Sequence, residues 1–211
     1  MNKPTLYHAH DPMCSFCWAF RSTWETVLPQ LKDTVNVVNV VGGLAPDSDQ
    51  PMPSEMQSKL SGTWKHIEHS ILGTQFNHAF WSECKPRRST YPACRAALIA
   101  RNISHELEDK MTLAIQQAYY LNAQNPSDED TLITAAASIG LDTTAFAQSL
   151  RSEEINTQLT DELKMARSLG LNSFPGLLIT DGNKGFHIPI EYNDTDEMLN
   201  RIHSAVKEIC Q

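Results

Sequence analysis

The first part of the chain alternates between strand-like and helical patterns of apolar residues. Residues 5–10 form a short β-type run that stops at Asp11-Pro12, because proline cannot donate to a strand ladder. From Cys14 to about Leu31 the apolar side chains recur at helical spacing. Residues 35–41, mostly valine, predict a buried strand that Gly42-Gly43 closes. Strand, helix and strand in this order predict a parallel βαβ unit with a right-handed crossover.

The stretch from about residue 46 to residue 170 predicts a block of helices marked by capping residues. The predicted N-caps are Ser54, Ser89-Thr90, Ser127, Asp142 and Ser152, and the predicted helix ends are Gly140 and Gly170. Pro92 suits the first turn of a helix, and residues 106–123 have an apolar face. Ser127-x-x-Asp130 has the form of a capping box. No repeat period organises the block, so we expect a helical bundle.

Strand character returns after this block. Residues 176–180 and 185–190 flank the turn Asp181-Gly182-Asn183 and predict a β-hairpin. Asp194-x-x-Glu197 opens a last amphipathic helix. The order predicts an α/β, thioredoxin-like arrangement with a large all-helical insertion between a βαβ half and a ββα half. The predicted parts are residues 1–45 (βαβ half), 46–150 (helical insertion) and 151–211 (connecting helix and ββα half).

Composition and charge exclude two classes of partner. The 211 residues carry a formal net charge of −8 at pH 7, and the longest run of Lys or Arg is Arg87-Arg88, so no nucleic-acid surface is predicted. No apolar run approaches the roughly 20 residues that a membrane helix needs.

Residues 1–8 lack the apolar core of a signal peptide, which favours a cytoplasmic protein. Five cysteines, an odd count, favour catalytic or buried thiols over structural disulfides.

The segment Cys14-Ser15-Phe16-Cys17 lies where the first strand turns into the first helix. Two intervening residues at a helix start hold both sulfurs within disulfide distance, and we expect the first sulfur to be exposed. The unpaired amides of the first turn and the helix dipole stabilise a negative charge on that sulfur. Cys14 is therefore the predicted nucleophile. Cys17 is the predicted resolving thiol, which attacks the mixed disulfide.

A zinc site is the alternative interpretation of two cysteines at this spacing. A tetrahedral site needs a second pair of ligands, and Cys84 and Cys94 lie ten residues apart, which does not fit. His66 and His69 do lie one helical turn apart, although histidine pairs on a polar helix are usually solvated. The βαβ context favours redox chemistry, so we predict no metal.

Three parts of the sequence together resemble the DsbA-like thioredoxin superfamily. They are Asp11-Pro12-Met13-Cys14-Ser15-Phe16-Cys17-Trp18 after the first strand, the helical insertion, and Gly170-Leu171-Asn172-Ser173-Phe174-Pro175-Gly176 before the final ββα unit. More narrowly, the chain is similar to the bacterial predicted protein disulfide isomerases related to FrnE, and the likeness covers essentially the whole chain. One departure is the dipeptide Ser15-Phe16, which lacks the histidine of strongly oxidising DsbA proteins.

The resemblance implies an activity and a set of site residues. The implied activity is thiol–disulfide exchange on protein or peptide disulfides, by an oxidoreductase or isomerase that uses its own redox-active disulfide and no bound cofactor. Pro175 would be a cis-proline facing the disulfide of Cys14 and Cys17. The backbone of Phe174, with Ser173 beside it, would bind the substrate as an added strand. The helical insertion would cap the site and shape its groove.

Two other classes of function stay open. Kappa-class glutathione transferases and hydroxychromene carboxylate isomerases combine a thioredoxin unit with a helical insertion, but they usually rely on a single Ser or Cys. Cys17 therefore argues against this alternative, although glutathione stays a candidate co-substrate. The third class is a non-enzymatic binding module or chaperone whose dithiol is structural or zinc-bound. The sequence leaves the oligomeric state open.

Other cysteines and two histidines are candidates for supporting roles. Cys84 and Cys94 are a candidate second redox pair, provided that their Cα atoms lie within roughly 7 Å of each other. Cys210 is expected to be an incidental thiol. His8 and His10 share one face of the first strand and are candidates for tuning the nucleophile.

Three aromatic residues of the first helix and one arginine complete the candidates. We expect Phe16 and Trp18 to offer an apolar surface to unfolded substrates, whereas Phe20 is expected in the helix core. Arg95 follows a predicted helix start and is a candidate for binding an anionic ligand such as glutathione.

Overall fold

A four-stranded mixed sheet forms the centre of the described part of the chain, which is residues 3–209 of a computed structural model. The strands are β1 (Thr5–His10), β2 (Asn36–Val41), β3 (Gly176–Thr180) and β4 (Gly185–Ile188), in the spatial order β2-β1-β3-β4. β1 pairs in parallel with β2 and antiparallel with β3, and β3 pairs antiparallel with β4. The predicted parallel βαβ unit, the hairpin and the shared sheet are therefore confirmed.

A continuous block of helices separates the two halves of the sheet. In the first half, α1 (Ser15–Val27) continues into a 3₁₀ turn (Leu28–Leu31). The block consists of α2 (Ser54–Ser70), α3 (Phe80–Glu83), α4 (Tyr91–Arg101), α5 (His105–Tyr120), α6 (Glu129–Ser138), α7 (Thr143–Leu150) and α8 (Glu153–Ser168), and α9 (Thr195–Ile209) follows the hairpin. The predicted α/β thioredoxin-like fold with a helical insertion is confirmed, whereas the boundaries at residues 45 and 150 stay a prediction.

Both faces of the sheet are covered by helices. On one face α1 and α9 pack in a cluster that includes Leu6, Phe20, Trp24, Leu177 and Ile202. On the other face α8 packs in a cluster that includes Ala9, Val40, Ala166, Leu171 and Leu178. Neighbouring residues of β3 alternate between the two clusters, as the two-residue period of a strand requires. Because β1 is an inner strand buried on both faces, its carboxyl end is held firmly where the cysteine-containing segment begins.

The helical insertion has its own core, which is continuous with the first half of the sheet domain. Trp64 is 1% exposed and lies among aromatic rings, namely Phe76, Phe80, Trp81, Tyr119 and Tyr120. The same cluster of buried residues contains Met13 and Ala19, from the start of α1, and Val41 from β2. The insertion is therefore packed directly against the segment that carries Cys14.

A buried network of charges joins the insertion to the end of β2. Arg101 of α4 donates to Glu108 of α5 and to Glu162 of α8, each at 2.6 Å. The second oxygen of Glu162 accepts the backbone N–H of Val41 at 2.7 Å. Burying these charges is costly unless they are paired, and here the carboxylates share one guanidinium. The network fixes the end of β2 relative to three helices of the insertion.

The hydrogen bonds at the helix starts show which of the predicted N-caps form in the folded protein. Asp142 and Ser152 each accept a backbone N–H from the first turn that follows, so both predicted N-caps are confirmed. The predicted capping box at Ser127 is wrong, because Asp128 is the N-cap of α6 and makes no side-chain cap bond. The hydroxyl of Ser127 donates instead to the carbonyl oxygen of Ser89 at 2.7 Å. A buried acceptor from another segment outcompetes the local cap.

Candidate active site

Asp11 anchors the cysteine turn, which we define as residues 11–17, from the end of β1 into the first turn of α1. The side chain is fully buried. One carboxylate oxygen accepts the N–H of Met13 at 2.8 Å, and the other accepts the N–H of Leu44 at 2.8 Å and the hydroxyl of Thr90 at 2.7 Å. Burial raises the pKa of Asp11, although its hydrogen bonds act in the opposite direction. Asp11 thus ties the cysteine turn to the segment after β2 and to the start of α4.

Cys14 occupies the N-cap position of α1. Its backbone is extended, with φ −86° and ψ 116°, and its carbonyl oxygen accepts the N–H of Trp18 at 3.0 Å. No acidic residue lies in the first turn of this helix. The free amides of that turn and the helix dipole therefore favour negative charge at the Cys14 sulfur with no competing carboxylate in the first turn.

The segment before β3 covers Cys14 from the opposite side. The Phe174–Pro175 peptide bond is cis, which is the geometry that the family resemblance implies for Pro175. The thiol of Cys14 donates to the carbonyl oxygen of Phe174 at 3.3 Å. Cys14 is only 6% exposed, the same as Cys17, so the expectation of an exposed first sulfur is wrong. The reason is tertiary, because a segment 160 residues away lies directly over the thiol.

Cys17 lies close enough to Cys14 for a disulfide to form between them. The two cysteines are 3.5 Å apart, and both are free thiols in this structure. Burial raises the pKa of Cys17 well above its ordinary value, and its hydrogen bond with Cys14 raises it further. Cys17 is therefore protonated at neutral pH, which is what a resolving thiol requires before the mixed disulfide forms.

A cavity of about 150 Å³ lies behind Cys17, on the side where β1 meets α1 and α5. His8 and His10 line it, with their rings stacked 5.3 Å apart, and Nδ1 of His8 lies 3.2 Å from Oδ1 of Asn39. Burial, followed by the nearby His10, lowers the pKa of His8 to about 3. The sequence analysis makes the two histidines candidates for tuning Cys14. The cavity that they line is also lined by Cys17 and not by Cys14.

Aromatic side chains form a partly open rim around the cysteine turn. Phe16 is half-buried, with its ring centre 6.1 Å from that of Tyr192. Trp18 is also half-buried and stacks on Tyr120 at 5.7 Å. Phe20 is 1% exposed, which confirms that it belongs to the core. Phe16 and Trp18 thus keep part of their apolar surface in contact with solvent beside the dithiol.

The residues of the predicted substrate-binding loop differ in exposure. Ser173 is exposed, Phe174 is half-buried and Pro175 is buried. Burial therefore increases along this segment, and the carbonyl oxygen of its middle residue, Phe174, contacts Cys14. Their role in binding substrate stays a prediction.

The candidate second redox pair consists of two thiols with different partners. Cys84 is half-buried and donates to the carbonyl oxygen of Ala123 at 2.8 Å. Cys94 is fully buried and its sulfur lies 3.6 Å from Oδ2 of Asp11. Burial raises the pKa of both thiols, and the Asp11 carboxylate raises that of Cys94 further. Both are free, and their pairing stays a prediction.

The remaining candidates lie away from the dithiol or outside the described residues. Both terminal nitrogens of Arg95 donate to the carboxylate of Asp47, at 2.7 and 2.8 Å, so its charge already has a partner. His66 and His69 are exposed on α2. Between residues 3 and 209 no cluster of three or more His, Cys, Asp or Glu side chains is arranged to hold a metal ion. Cys210 lies outside the described residues.

Three residues of the site were not singled out from the sequence. Asp11 was noted only at the end of the first strand and as part of a family pattern, and Gly42 only as a strand end, although a Cβ at Gly42 would collide with Phe174. Tyr192 follows the hairpin and has no local signal. Burial raises its pKa, and the nearby Cys17 and Cys14 raise it further. All three act through contacts between distant segments, which a local pattern does not contain.

Comparison with known proteins assigns this architecture to a family. A family model described as thioredoxin matches residues 7–200. The chain belongs to the thioredoxin family. The ClpXP adapter protein SpxH of Halalkalibacterium halodurans is a relative of this thioredoxin-family protein, 22% identical over 182 residues, which cover 84% of this chain and 59% of SpxH. The chain therefore spans less than two thirds of that curated relative.

Solved structures of other thioredoxin-fold proteins are similar over almost the whole chain. A protein from Nitrosomonas europaea, provisionally assigned as a protein disulfide isomerase, matches with a TM-score of 0.85 and 22% identity over 98% of this chain and 99% of its own. The cytosolic disulfide reductase DsbM from Pseudomonas aeruginosa matches with a TM-score of 0.74 and 18% identity over 97% and 99%. DsbM with GSH gives 0.71 and 18% over 96% and 99%. At these identities the likeness concerns the fold.

The lengths and the apolar character of the helices bear on whether the chain could span a membrane. Within residues 3–209, no helix is both long enough and apolar enough to cross a bilayer.

Proposed function

We propose that this thioredoxin-family protein catalyses thiol–disulfide exchange on protein or peptide disulfides, as an oxidoreductase of the protein disulfide isomerase type. The observation that carries the proposal is the position of Cys14, which occupies the N-cap position of a helix without acidic residues in its first turn and lies 3.5 Å from a second thiol, Cys17. The cis peptide bond before Pro175 lies opposite this pair. A purely structural dithiol has no need of an anion-stabilising helix end beside it.

In the proposed reaction the Cys14 thiolate attacks one sulfur of a substrate disulfide. A bond forms between Cys14 and that sulfur, and the other substrate sulfur leaves as a thiolate. Cys17 then loses its proton and attacks the sulfur of Cys14, which releases the second substrate thiol. The substrate has gained two electrons and the enzyme holds a Cys14–Cys17 disulfide. The same steps in reverse oxidise a substrate dithiol.

The substrate chain is proposed to bind beside the cis peptide bond. The carbonyl oxygen of Phe174 accepts the Cys14 thiol at 3.3 Å, so this backbone group becomes available to a peptide when the sulfur turns to its substrate. Added-strand pairing would use the backbone of Phe174 and Ser173, and the latter is exposed. Phe16 and Trp18 offer apolar surface at the rim, which suits the apolar residues of an unfolded protein.

Glutathione is the proposed partner that recycles the dithiol, and the cytoplasm is the proposed location. In support, DsbM is described as a cytosolic disulfide reductase and has also been solved with GSH, and its fold covers 96% of this chain. The alternative is a glutathione-dependent transferase or isomerase that uses Cys14 alone. The alternative predicts that glutathione-dependent turnover survives the loss of Cys17, whereas dithiol exchange predicts that it stops.

The test replaces Cys17 with Ala and follows the fate of a substrate disulfide. Cys17→Ala should accumulate a covalent adduct of Cys14 with an insulin chain or scrambled ribonuclease, because Cys14 attacks a disulfide of the substrate and nothing resolves the mixed disulfide that forms. Mass spectrometry under non-reducing conditions detects the adduct. Cys94→Ala, which removes an equally buried thiol, is the matched control and should form no lasting adduct. Absence of an adduct, together with a wild-type protein that neither reduces insulin nor reactivates scrambled ribonuclease, would overturn the proposal.

A further inference from the structure

Gly42 is the first residue after β2, and its backbone does not require glycine. Its φ lies outside the left-handed region, unlike that of the next residue, Gly43, at +61°. An alanine could therefore adopt the backbone conformation at residue 42 without strain. The reason for a glycine must lie in the surroundings.

The ring of Phe174 occupies the space that a side chain at residue 42 would need. A Cβ built on Gly42 lies 2.0 Å from Cε1, 2.1 Å from Cζ and 2.6 Å from Cδ1 of that ring. Ordinary contact begins near 3.4 Å, so the ring would have to withdraw by roughly 1.4 Å to admit one methyl group. The three nearest atoms all belong to the ring of Phe174.

Gly42 and Phe174 close a circuit of contacts around the nucleophile. The N–H of Gly42 donates to the carbonyl oxygen of His10 at 2.7 Å, and His10 ends the strand that leads into the cysteine turn. The carbonyl oxygen of Phe174 accepts the thiol of Cys14 at 3.3 Å. The contact of the Phe174 ring with Gly42 therefore helps to fix the position of the Phe174 carbonyl group relative to Cys14.

We propose that Gly42 is a positioning residue for exchange with peptide disulfides, because it receives the Phe174 ring and so aligns the Phe174 backbone with Cys14. The inference rests on the proposed function and adds a residue to it. A peptide disulfide uses the Phe174 backbone as well as Cys14, whereas a small disulfide needs only the sulfur. Displacing the ring should therefore affect the peptide substrate selectively.

The test is a double-mutant cycle with two substrates. Gly42→Ala should lower kcat/KM for a peptide disulfide by roughly tenfold or more, chiefly through KM, because a shift of about 1 Å in a positioning group has effects of this size. Its rate with 5,5′-dithiobis(2-nitrobenzoate), a small disulfide, should stay within about twofold of wild type. In a Phe174→Ala background, which leaves space for the methyl group, Gly42→Ala should have no further effect.

Gly43→Ala provides the contrast at the adjacent position. A Cβ there would meet Leu163 at 2.7 Å and Tyr91 at 2.8 Å, and neither atom belongs to Phe174. This variant should lower the melting temperature and leave the ratio of peptide to small-disulfide rates unchanged.

Two results would overturn the role of Gly42 while leaving exchange chemistry intact. One is an equal loss from Gly42→Ala with and without the Phe174 ring, and the other is an equal loss for both substrates. A wild-type protein inactive towards both disulfides would instead remove the proposed function itself, and the role of Gly42 with it.

Discussion

Cys14 and Cys94 have much in common as positions in the fold. Each lies in the first turn or at the cap of a helix, α1 or α4, and each is buried. Each also approaches Asp11, since the N–H of Cys14 donates to the Asp11 carbonyl oxygen at 2.9 Å and the Cys94 sulfur lies 3.6 Å from its carboxylate. Burial and a nearby helix start are therefore common to both thiols and do not distinguish them.

The difference lies in what each sulfur faces. Cys14 caps its helix and has a second thiol, Cys17, 3.5 Å away. Cys94 lies at the end of the first turn of α4, where its own N–H donates to the carbonyl oxygen of Thr90, and its sulfur lies near a carboxylate. Burial and that carboxylate raise the pKa of Cys94 well above its ordinary value. In the proposed function, a position ahead of the first helical amides, with no acidic residue in the first turn, separates the exchanging thiol Cys14 from Cys94.

The strongest test of this contrast removes each sulfur in turn. Cys14→Ser should reduce the rate of peptide disulfide reduction by at least about 1,000-fold, because a hydroxyl does not act as the exchanging nucleophile. Cys94→Ser should leave the rate within about threefold, since the Cys94 sulfur lies against the carboxylate of Asp11 and is not part of the proposed dithiol. The insulin reduction assay measures both. A comparable loss in the two variants would mean that Cys94 takes part in exchange and that the contrast is unfounded.

The next test concerns Asp11, the residue that the two thiols share. Asp11→Asn should lower the free energy of unfolding by about 2–4 kcal/mol. Both carboxylate oxygens accept hydrogen bonds, and the NH₂ group of an asparagine would replace one of these acceptors with a donor that faces another donor. Urea denaturation at neutral pH measures the change. Asp47→Asn is the matched control, since that half-exposed carboxylate pairs with Arg95 and should contribute less than about 1 kcal/mol. Equal effects at the two positions would show that Asp11 is not the anchor of the cysteine turn.

These contacts also explain how much the sequence could predict. Local patterns predicted the strands, the parallel unit and the caps at Asp142 and Ser152, because each depends on residues a few positions apart. The cap at Ser127 failed since its hydroxyl found a buried acceptor 38 residues away. Local propensity is overridden wherever a tertiary partner offers a better bond.

In the candidate site, too, local features could be predicted from the sequence and contacts between distant segments could not. Cys14 and Cys17 could be predicted from their spacing and from the strand-to-helix turn. The burial of Cys14 could not, because the covering carbonyl group of Phe174 comes from the far side of the helical insertion. The glycine at residue 42 could be read as a strand end, but its steric reason needs the position of that same ring.

The smallest predicted effect compares the acid sensitivity of the two halves. His8, in the sheet half, is held neutral, since burial lowers its pKa from 6.5 to about 3. Glu108, in the insertion, is buried, but His10 and Arg101 hold its pKa at about 2, below its usual 4.5. Both groups stabilise the fold above their unfolded pKa values, and both contributions are lost as the pH falls. The His8 contribution is lost first, from pH 6.5 downwards, and that of Glu108 follows below pH 4.5.

The interval between pH 6.5 and pH 4.5 therefore separates the His8 contribution from that of Glu108. There the unfolded chain binds a proton that the folded chain does not, so the free energy of unfolding falls with pH by up to about 1.4 kcal/mol per unit from this group. His8→Gln should flatten the slope by that amount in urea denaturation across the interval. His66→Gln, which removes an exposed ring on α2, should leave the slope as it is. If His8→Gln and wild type lose stability in parallel, the His8 ring is charged in the folded protein, and the cavity behind Cys17 must admit enough water to solvate it.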